Sequence, residues 1–228
     1  MQTLNIFTTA TPRPEIHGVT ALKAVDTLLS HGPQERIEWY INVDCPSMFT
    51  EQDRINTVNN FLSFYKPGLK THIMADHQSA HFGAAARRLY TSCDASGSDN
   101  VFLWLEDDWE LKEDEYFFEL LGKFFKFEYN FFLCSIATYV TGNPFFFKQS
   151  FFELVKRKYA TLESNIDPEL MLFEAVMEKF NINNPRVSPP NSLHKKYFFD
   201  VGRQWRAERN IQKLDKYRTH LKGDTWIQ

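Results

Sequence analysis

Three adjacent carboxylates, Glu106, Asp107 and Asp108, follow five apolar residues in the stretch VFLWLEDDWEL, residues 101–111. Neighbouring carboxylates repel one another, and a cation relieves that repulsion. Their oxygens suit hard divalent ions such as Mg²⁺ or Mn²⁺, and Mg²⁺ is usually held by one or two carboxylates together with substrate phosphates. The triplet therefore predicts a place where a metal is set against a diphosphate. The same residues also suit a plainer role, an exposed acidic turn opening the next helix, because Asp and Glu favour helix N-termini.

Other side chains could share that chemistry. Thr8, Thr9, Asp44 and Asp76 each close an apolar run, and Arg87 and Arg88 sit in HFGAAARRLY. Asp167 and Glu169 lie in NIDPEL, and a carboxylate there suits a base for a hydroxyl. His194, Lys195 and Arg203 lie in NSLHKKYFFDVGRQWR, where Lys195 and Arg203 offer charge and hydrogen bonds to a diphosphate. Each group has a structural alternative. The arginines suit a solvated helix face, with Gly83–Ala86 packing beneath them. Asp167 suits a helix N-cap before Pro168, with Glu169 favoured by the helix dipole. Residues 191–206 suit a basic surface loop, and Trp205 suits either an anchor or a stacking face.

These residues need elements to position them. Strand-like runs at Leu4–Thr9, Arg36–Asp44, Leu69–Asp76 and Asn100–Asp107 alternate with helical spacing over 18–32, 50–65, 79–93 and 113–127. Thr50 is a candidate N-cap, Gly32 is a stop signal, and the prolines of TPRP predict a loop. Strands separated by helices imply βαβ units, right-handed crossovers and a mainly parallel sheet. Ligands in such folds bind beyond the carboxyl ends of the strands, where the polar tips collect. One or two strands, a turn at Gly142–Pro144 and a helix from about Ser150 follow. The phenylalanines between Phe117 and Phe152 are expected in the core.

A hydrophobic strand ending on a D-x-D-like motif after three βα units resembles the nucleotide-sugar-dependent glycosyltransferases of the GT-A fold. The likeness is to family-2-like and small viral or bacterial members, and by element order it spans roughly residues 3 to 205. It implies a single Rossmann-like α/β domain with a mainly parallel sheet flanked by helices. Residues 1–110 would form the nucleotide-sugar half, 111–205 a smaller acceptor-side half and 206–228 a charged extension. By that resemblance Thr8 and Thr9 border the base, Asp44 meets uracil or ribose, and Arg87 or Arg88 reaches the base or pyrophosphate. Asp76 belongs to the same row of tips. Asp107 sits by the ribose, Asp108 binds Mn²⁺ or Mg²⁺, and His194 completes the metal site. Asp167, then Glu169, would be the catalytic base of an inverting transfer. Glu106 departs from the usual Asp and has no assigned role. The resemblance thus implies a metal-dependent transferase moving sugar from a UDP-sugar to a hydroxyl of a glycan or similar acceptor.

Composition sets bounds. The 228 residues are 43% hydrophobic, enough for a sizeable core in one domain. A net charge of −3 argues against a general grip on nucleic acid. Three scattered cysteines form no metal or disulfide pattern, and no apolar run reaches membrane-spanning length. The N-terminus lacks signal-peptide character. A soluble, intracellular, cytoplasmic protein is expected. Two other functions fit: a sugar-phosphate nucleotidyltransferase, disfavoured by the single glycine in TTATPRPEIHG, and a non-catalytic nucleotide-sugar-binding module.

Overall fold

The computed structural model describes residues 2–75, 82–97, 100–126, 132–134, 144–161, 197–209, 212–213 and 226–227. In chain order the elements are β1 (Thr3–Ala10), α1 (Pro14–His17), α2 (Ala21–His31), β2 (Arg36–Val43), α3 (Glu51–Ser63) and β3 (Leu69–Ala75). Next come α4 (Phe82–Ser92), β4 (Asn100–Trp104), β5 (Trp109–Leu111), α5 (Glu115–Lys126) and β6 (Phe132–Cys134). The last are β7 (Phe145–Lys148), α6 (Gln149–Ala160), β8 (Phe198–Asp200) and α7 (Val201–Glu208), with a two-stranded ribbon of Gln212–Lys213 and Trp226–Ile227.

Six strands form one sheet in the order β3-β2-β1-β4-β7-β6. The first four run parallel, β7 is antiparallel to β4, and β6 is antiparallel to β7. The chain is a mixed α/β domain with a mainly parallel sheet flanked by helices, as the alternation of strand and helix patterns predicts. Strand order reverses around β1, whose neighbours are β2 and β4. The carboxyl ends of these three strands therefore frame the switch point where ligands lodge in such sheets.

Both faces of the sheet are covered. Along β4, Val101, Leu103 and Leu105 enter the core under α2 and α5, while Phe102 and Trp104 enter the core under α4 and α6. This alternation follows from the two-residue period of a strand, and it explains why the apolar run has no polar face. The predicted phenylalanine core is present: Phe145, Phe146, Phe147, Phe151 and Phe152 are buried, and Phe102 stacks on Phe152 at 4.2 Å. Gly83–Ala86 are buried in α4, as the packing alternative for that segment requires.

Some local expectations change. Pro14 opens a short helix instead of lying in a loop, because a proline at the first helical position gives up only an N–H that has no partner there. Val19 lies in the turn before α2 and is exposed. On α3 the inner positions are Arg54, Thr57 and Phe61, and the apolar Ile55 and Leu62 are exposed. Tyr65, beyond the helix end, is exposed as well.

Thr50 caps α3 as predicted. Its Oγ1 accepts from the Asp53 N–H at 3.2 Å, and its own N–H donates to Asp53 Oδ2 at 2.8 Å. This reciprocal box satisfies two helix-end groups. Thr50→Ala is expected to cost about 1 kcal/mol, read as a lower urea midpoint; an unchanged midpoint would contradict it.

Candidate functional site

The strand ladder carries the acidic motif past the end of β4. Leu105 N–H donates to Phe7 O at 2.9 Å and Asp107 N–H to Thr9 O at 3.1 Å. On the other side of β1, Asp44 N–H donates to Ala10 O at 2.9 Å. The β1 tip is therefore flanked by two polar clusters, one built on Asp107 and Asp108 and one on Asp44.

The first cluster is buried. Asp107 and Asp108 are only 2% and 4% exposed. Arg13, 3% exposed, forks across both: one guanidinium nitrogen donates to Asp107 Oδ1 and the other to Asp108 Oδ2 at 3.1 Å. Arg206 donates to the same Asp108 Oδ2 at 3.2 Å. Asp107 Oδ2 also meets His17 Nε2 at 2.9 Å and accepts from Thr11 N–H at 3.1 Å. An ionised carboxylate only accepts, so His17 carries a proton on Nε2. Thr20 Oγ1 lies 2.5 Å from Asp107 O and 2.7 Å from Ile16 O, fixing the motif's backbone to α1.

The charges in this cluster support one another. Burial pushes the Asp107 pKa up, but the Arg13 charge and the His17 hydrogen bond outweigh it and hold the carboxyl below its ordinary value. Burial likewise works against the Arg13 charge, and Asp107 and Asp108 outweigh that too, so Arg13 stays protonated. Buried charges persist only with such compensation.

The C-terminal segment closes the cluster. β8 pairs antiparallel with β5, and Asp108 O accepts from Val201 and Gly202 N–H at 3.0 and 3.3 Å. Asp200 caps α7 by accepting from Arg203 N–H at 2.8 Å. Trp205 packs on Ile16, and the Arg13 and Arg209 guanidiniums lie 5.5 and 4.4 Å from its ring centroid. Its role is thus the intramolecular anchor. Gly202 lies directly on Asp108: a Cβ there would stand 1.8 Å from Asp108 Oδ2.

The second cluster is more open. Arg88, its side chain 21% exposed, donates from Nη2 to Asp44 Oδ1 and from Nε to Asn42 Oδ1, both at 2.7 Å. Asn42 Nδ2 donates to the same Asp44 oxygen at 2.9 Å. Asp44 and Arg88, 44 residues apart in sequence, are thereby brought together beside the β1 tip.

The remaining candidates are placed as follows. Thr8 is fully buried, and its hydroxyl accepts from Trp39 Nε1 at 2.9 Å, so its side chain belongs to the core; Thr9 is half-buried at the tip. Arg87 is exposed next to Arg88, and Glu106 is half-buried at the rim of the first cluster. The Arg203 side chain is 85% exposed and pairs with Asp200 at 3.4 Å, while Arg206, one turn on, takes the buried position. Asp76, Asp167, Glu169, His194 and Lys195 lie outside the described residues.

The acidic motif is neither an exposed turn nor an open metal cradle. Its repulsion is relieved by cations, as charge alone demands, but those cations are guanidiniums. Among the described residues no three His, Cys, Asp or Glu side chains lie together as a cation site. Asp108 Oδ1 is buried without a hydrogen-bond partner among the described residues, and it is the one carboxylate atom of the pair so placed. Among the described residues the free donor is a single oxygen flanked by two guanidiniums, which by itself does not fit Mn²⁺ or Mg²⁺, since these need several oxygen ligands and are repelled by neighbouring positive charge. Arg13, His17, Gly202 and Arg206 were not among the sequence candidates. The four-residue spacing of Arg13 and His17 just beyond β1 is the signal that could have found the first two.

No helix among the described residues is long and apolar enough to cross a membrane. No protein-family model matches the chain, and no curated protein matches it. Among solved structures it is similar to HddC from Yersinia pseudotuberculosis, with TM-score 0.50 and 12% identity over 89% of this chain and 94% of that one. HddC complexed with GMP-PN gives TM-score 0.50 and 13% identity over the same shares. At this identity the likeness is one of fold, and it agrees with the Rossmann-like architecture described above.

Proposed function

We propose that the protein is a transferase acting on a nucleotide-diphosphate sugar, and that it transfers the sugar to a hydroxyl of a glycan or similar acceptor. The observation that carries this reading is the Asp44–Asn42–Arg88 cluster at the carboxyl end of β2, beside the switch point. A carboxylate accepts from a ring N–H, and a guanidinium donates to a ring carbonyl. Uracil and guanine both present an N–H next to a carbonyl, so the cluster matches the edge of either base. The nucleotide in the HddC complex supports a nucleotide as part of the ligand.

In the proposed reaction the acceptor hydroxyl attacks the anomeric carbon as the bond to the diphosphate oxygen breaks. The nucleoside diphosphate leaves with the electron pair, and a base takes the hydroxyl proton. Asp167, with Glu169 as second choice, is the proposed base of an inverting transfer. Lys195 remains a proposed contact to the diphosphate; His194, which the resemblance gives as a metal ligand, lies outside the described residues. The role proposed for Arg203 depends on its exposed side chain turning from Asp200 to a ligand.

Nucleotidyl transfer is the second reading, favoured by the likeness to HddC in complex with GMP-PN. It ranks lower because the loop after β1, which would have to cradle a triphosphate, folds into α1 and turns Arg13 inward onto Asp107 and Asp108.

A thermal-shift panel of UDP, GDP and their sugars tests the proposal, since a ligand that binds the native state raises its melting temperature. Uracil or guanine nucleotides are expected to stabilise the protein, and adenine and cytosine nucleotides to do so less. Asp44→Asn is expected to weaken binding about 10- to 100-fold, the loss of one hydrogen bond to a charged group. A panel without any stabilising nucleotide, or an Asp44→Asn variant with undiminished affinity, would sink the base-recognition argument. Pyrophosphate release from a nucleoside triphosphate and a sugar phosphate would favour the second reading.

A further inference from the structure

We propose that Asp107 and Asp108 form the clamp that holds α7 against the sheet, and that this pair takes no divalent cation. The first part rests on where the contacts go. Asp108 binds α7 three times: its carboxylate to Arg206, its carbonyl to the N–H groups of Val201 and Gly202, and its side chain to the bare Cα face of Gly202. Asp107 holds the opposite side through Arg13, His17 and the Thr11 N–H. Arg13 joins the two acids and also faces Trp205 of α7. The motif therefore links the loop after β1, the end of β4 and α7 at one point.

The second part follows from the same contacts. Asp107 and Asp108 face Arg13 and Arg206, with His17 as a further donor, and Asp200, which also meets Arg206 at 3.8 Å, pairs with Arg203, so three carboxylates are matched by three guanidiniums without an outside cation. A metal ion at Asp108 would have to displace Arg206 or Arg13 from Oδ2, or use Oδ1 alone. Displacing either arginine breaks a buried ion pair, with Arg13 keeping Asp107 and Arg206 keeping Asp200 at 3.8 Å, and loosens the hold on α7. Gly202 fills the remaining approach to Oδ2. The inference concerns the folded chain and does not depend on which reaction it catalyses.

Mn²⁺ uptake, read from the electron paramagnetic resonance signal of the free ion, separates the alternatives. Wild type and Asp108→Asn are expected to leave the same free Mn²⁺ signal. Asp108→Asn and Arg206→Met are each expected to lower the melting temperature by about 6–20 °C, as for one broken buried pair in a protein of this size. The double variant is expected to fall by less than the sum, because the two residues act on one contact. One Mn²⁺ bound by wild type and not by Asp108→Asn overturns the proposal, as do additive losses. If Asp108→Asn does not fold, Mn²⁺ broadening of amide signals in the wild-type protein gives the answer. Unbroadened Gly202 and Asp108 amides support the clamp, and their selective broadening overturns it. As a further arm, which rests on the proposed nucleotide reading, stabilisation by UDP or GDP sugars is expected to be equal in EDTA and in Mn²⁺. If no nucleotide stabilises the protein at all, that reading fails while the Mn²⁺ result still decides the clamp.

Discussion

Arg13→Met is expected to be among the most destabilising single substitutions in this protein, removing about 3–5 kcal/mol. Domains commonly have only about 5–15 kcal/mol in hand. Methionine keeps much of the side-chain volume but leaves Asp107 and Asp108 buried with one cation fewer. Asp107 retains His17 and the Thr11 N–H, and Asp108 retains Arg206, so neither acid is stripped of partners. What is lost is the fork that served both.

The same variant should change how stability depends on pH. In the wild type, Asp107 has its pKa lowered in the folded state: burial opposes this, and the Arg13 charge overcomes it. A carboxyl depressed on folding contributes stability that is present above its unfolded value, about 3.9, and lost as pH falls through the lower folded value. The wild type should therefore hold this contribution down to roughly pH 4 and lose it only in stronger acid. Without Arg13 the largest interaction holding the carboxyl down is gone, so its folded-state pKa rises relative to the wild type. The variant lacks that stabilisation at neutral pH, and its difference from the wild type shrinks as pH falls and the acid is protonated in both. Urea midpoints at about pH 7, 5 and 4 check both parts. The gap between wild type and variant should be widest at neutral pH, and a gap that is absent, or constant across the series, contradicts the electrostatic account.

Gly202→Ala is expected to lose about 3 kcal/mol through overpacking. The backbone there is helical, so the difficulty is space and not conformation. A new Cβ would lie 1.8 Å from Asp108 Oδ2, 2.4 Å from its Cγ and 2.6 Å from its Cβ. A flexible side-chain end could swing away, but Asp108 is short and two guanidiniums hold its Oδ2. The helix must move instead, taking Trp205 away from Ile16. Trypsin should then cut faster at Arg206, which is buried in the intact protein. Gly122→Ala is the internal control. It sits in α5 with nothing within 4 Å of an added methyl, and alanine there should stabilise by about 0.5–1 kcal/mol. Equal behaviour of the two variants in denaturation would remove the steric argument.

Much of the scaffold could be read from the chain because it is locally encoded. Each parallel strand is a short apolar run with a polar end, and the helices between them show their apolar stripe or their cap. The position of Glu106–Asp108 beyond the fourth strand follows from that pattern alone. The partners of those acids do not. Arg13 and Arg206 stand 95 and 98 residues from Asp108, and only the spacing of Arg13 and His17 beyond β1 hints at the first of them. The choice between Arg203 and Arg206 shows the same limit. Both lie in a basic segment, and only the helical phase that puts Gly202, Trp205 and Arg206 inward separates them. The pairing of β5 with β8 was equally hidden, because three-residue strands are too short to show alternation. The Asp44–Arg88 meeting was partly legible, since Asp44 was read as a strand tip and the family resemblance brought Arg87 or Arg88 towards the same ligand.

The long reach of the acid cluster also bears on the order in which the chain can be built. Translation produces Arg13 first, the two acids almost a hundred residues later, and Arg206 almost a hundred after that. Until α7 has left the ribosome, Asp108 has one guanidinium instead of two, and the backbone carbonyl beneath it lacks the N–H groups of Val201 and Gly202. Contacts closed over such distances carry a large loop entropy and form after local ones. The four βα units can assemble as they emerge, but the edge where their strands end stays unfinished. Its completion is a late event, and a nascent chain stalled before residue 201 would present a water-filled notch where the mature protein has a sealed corner.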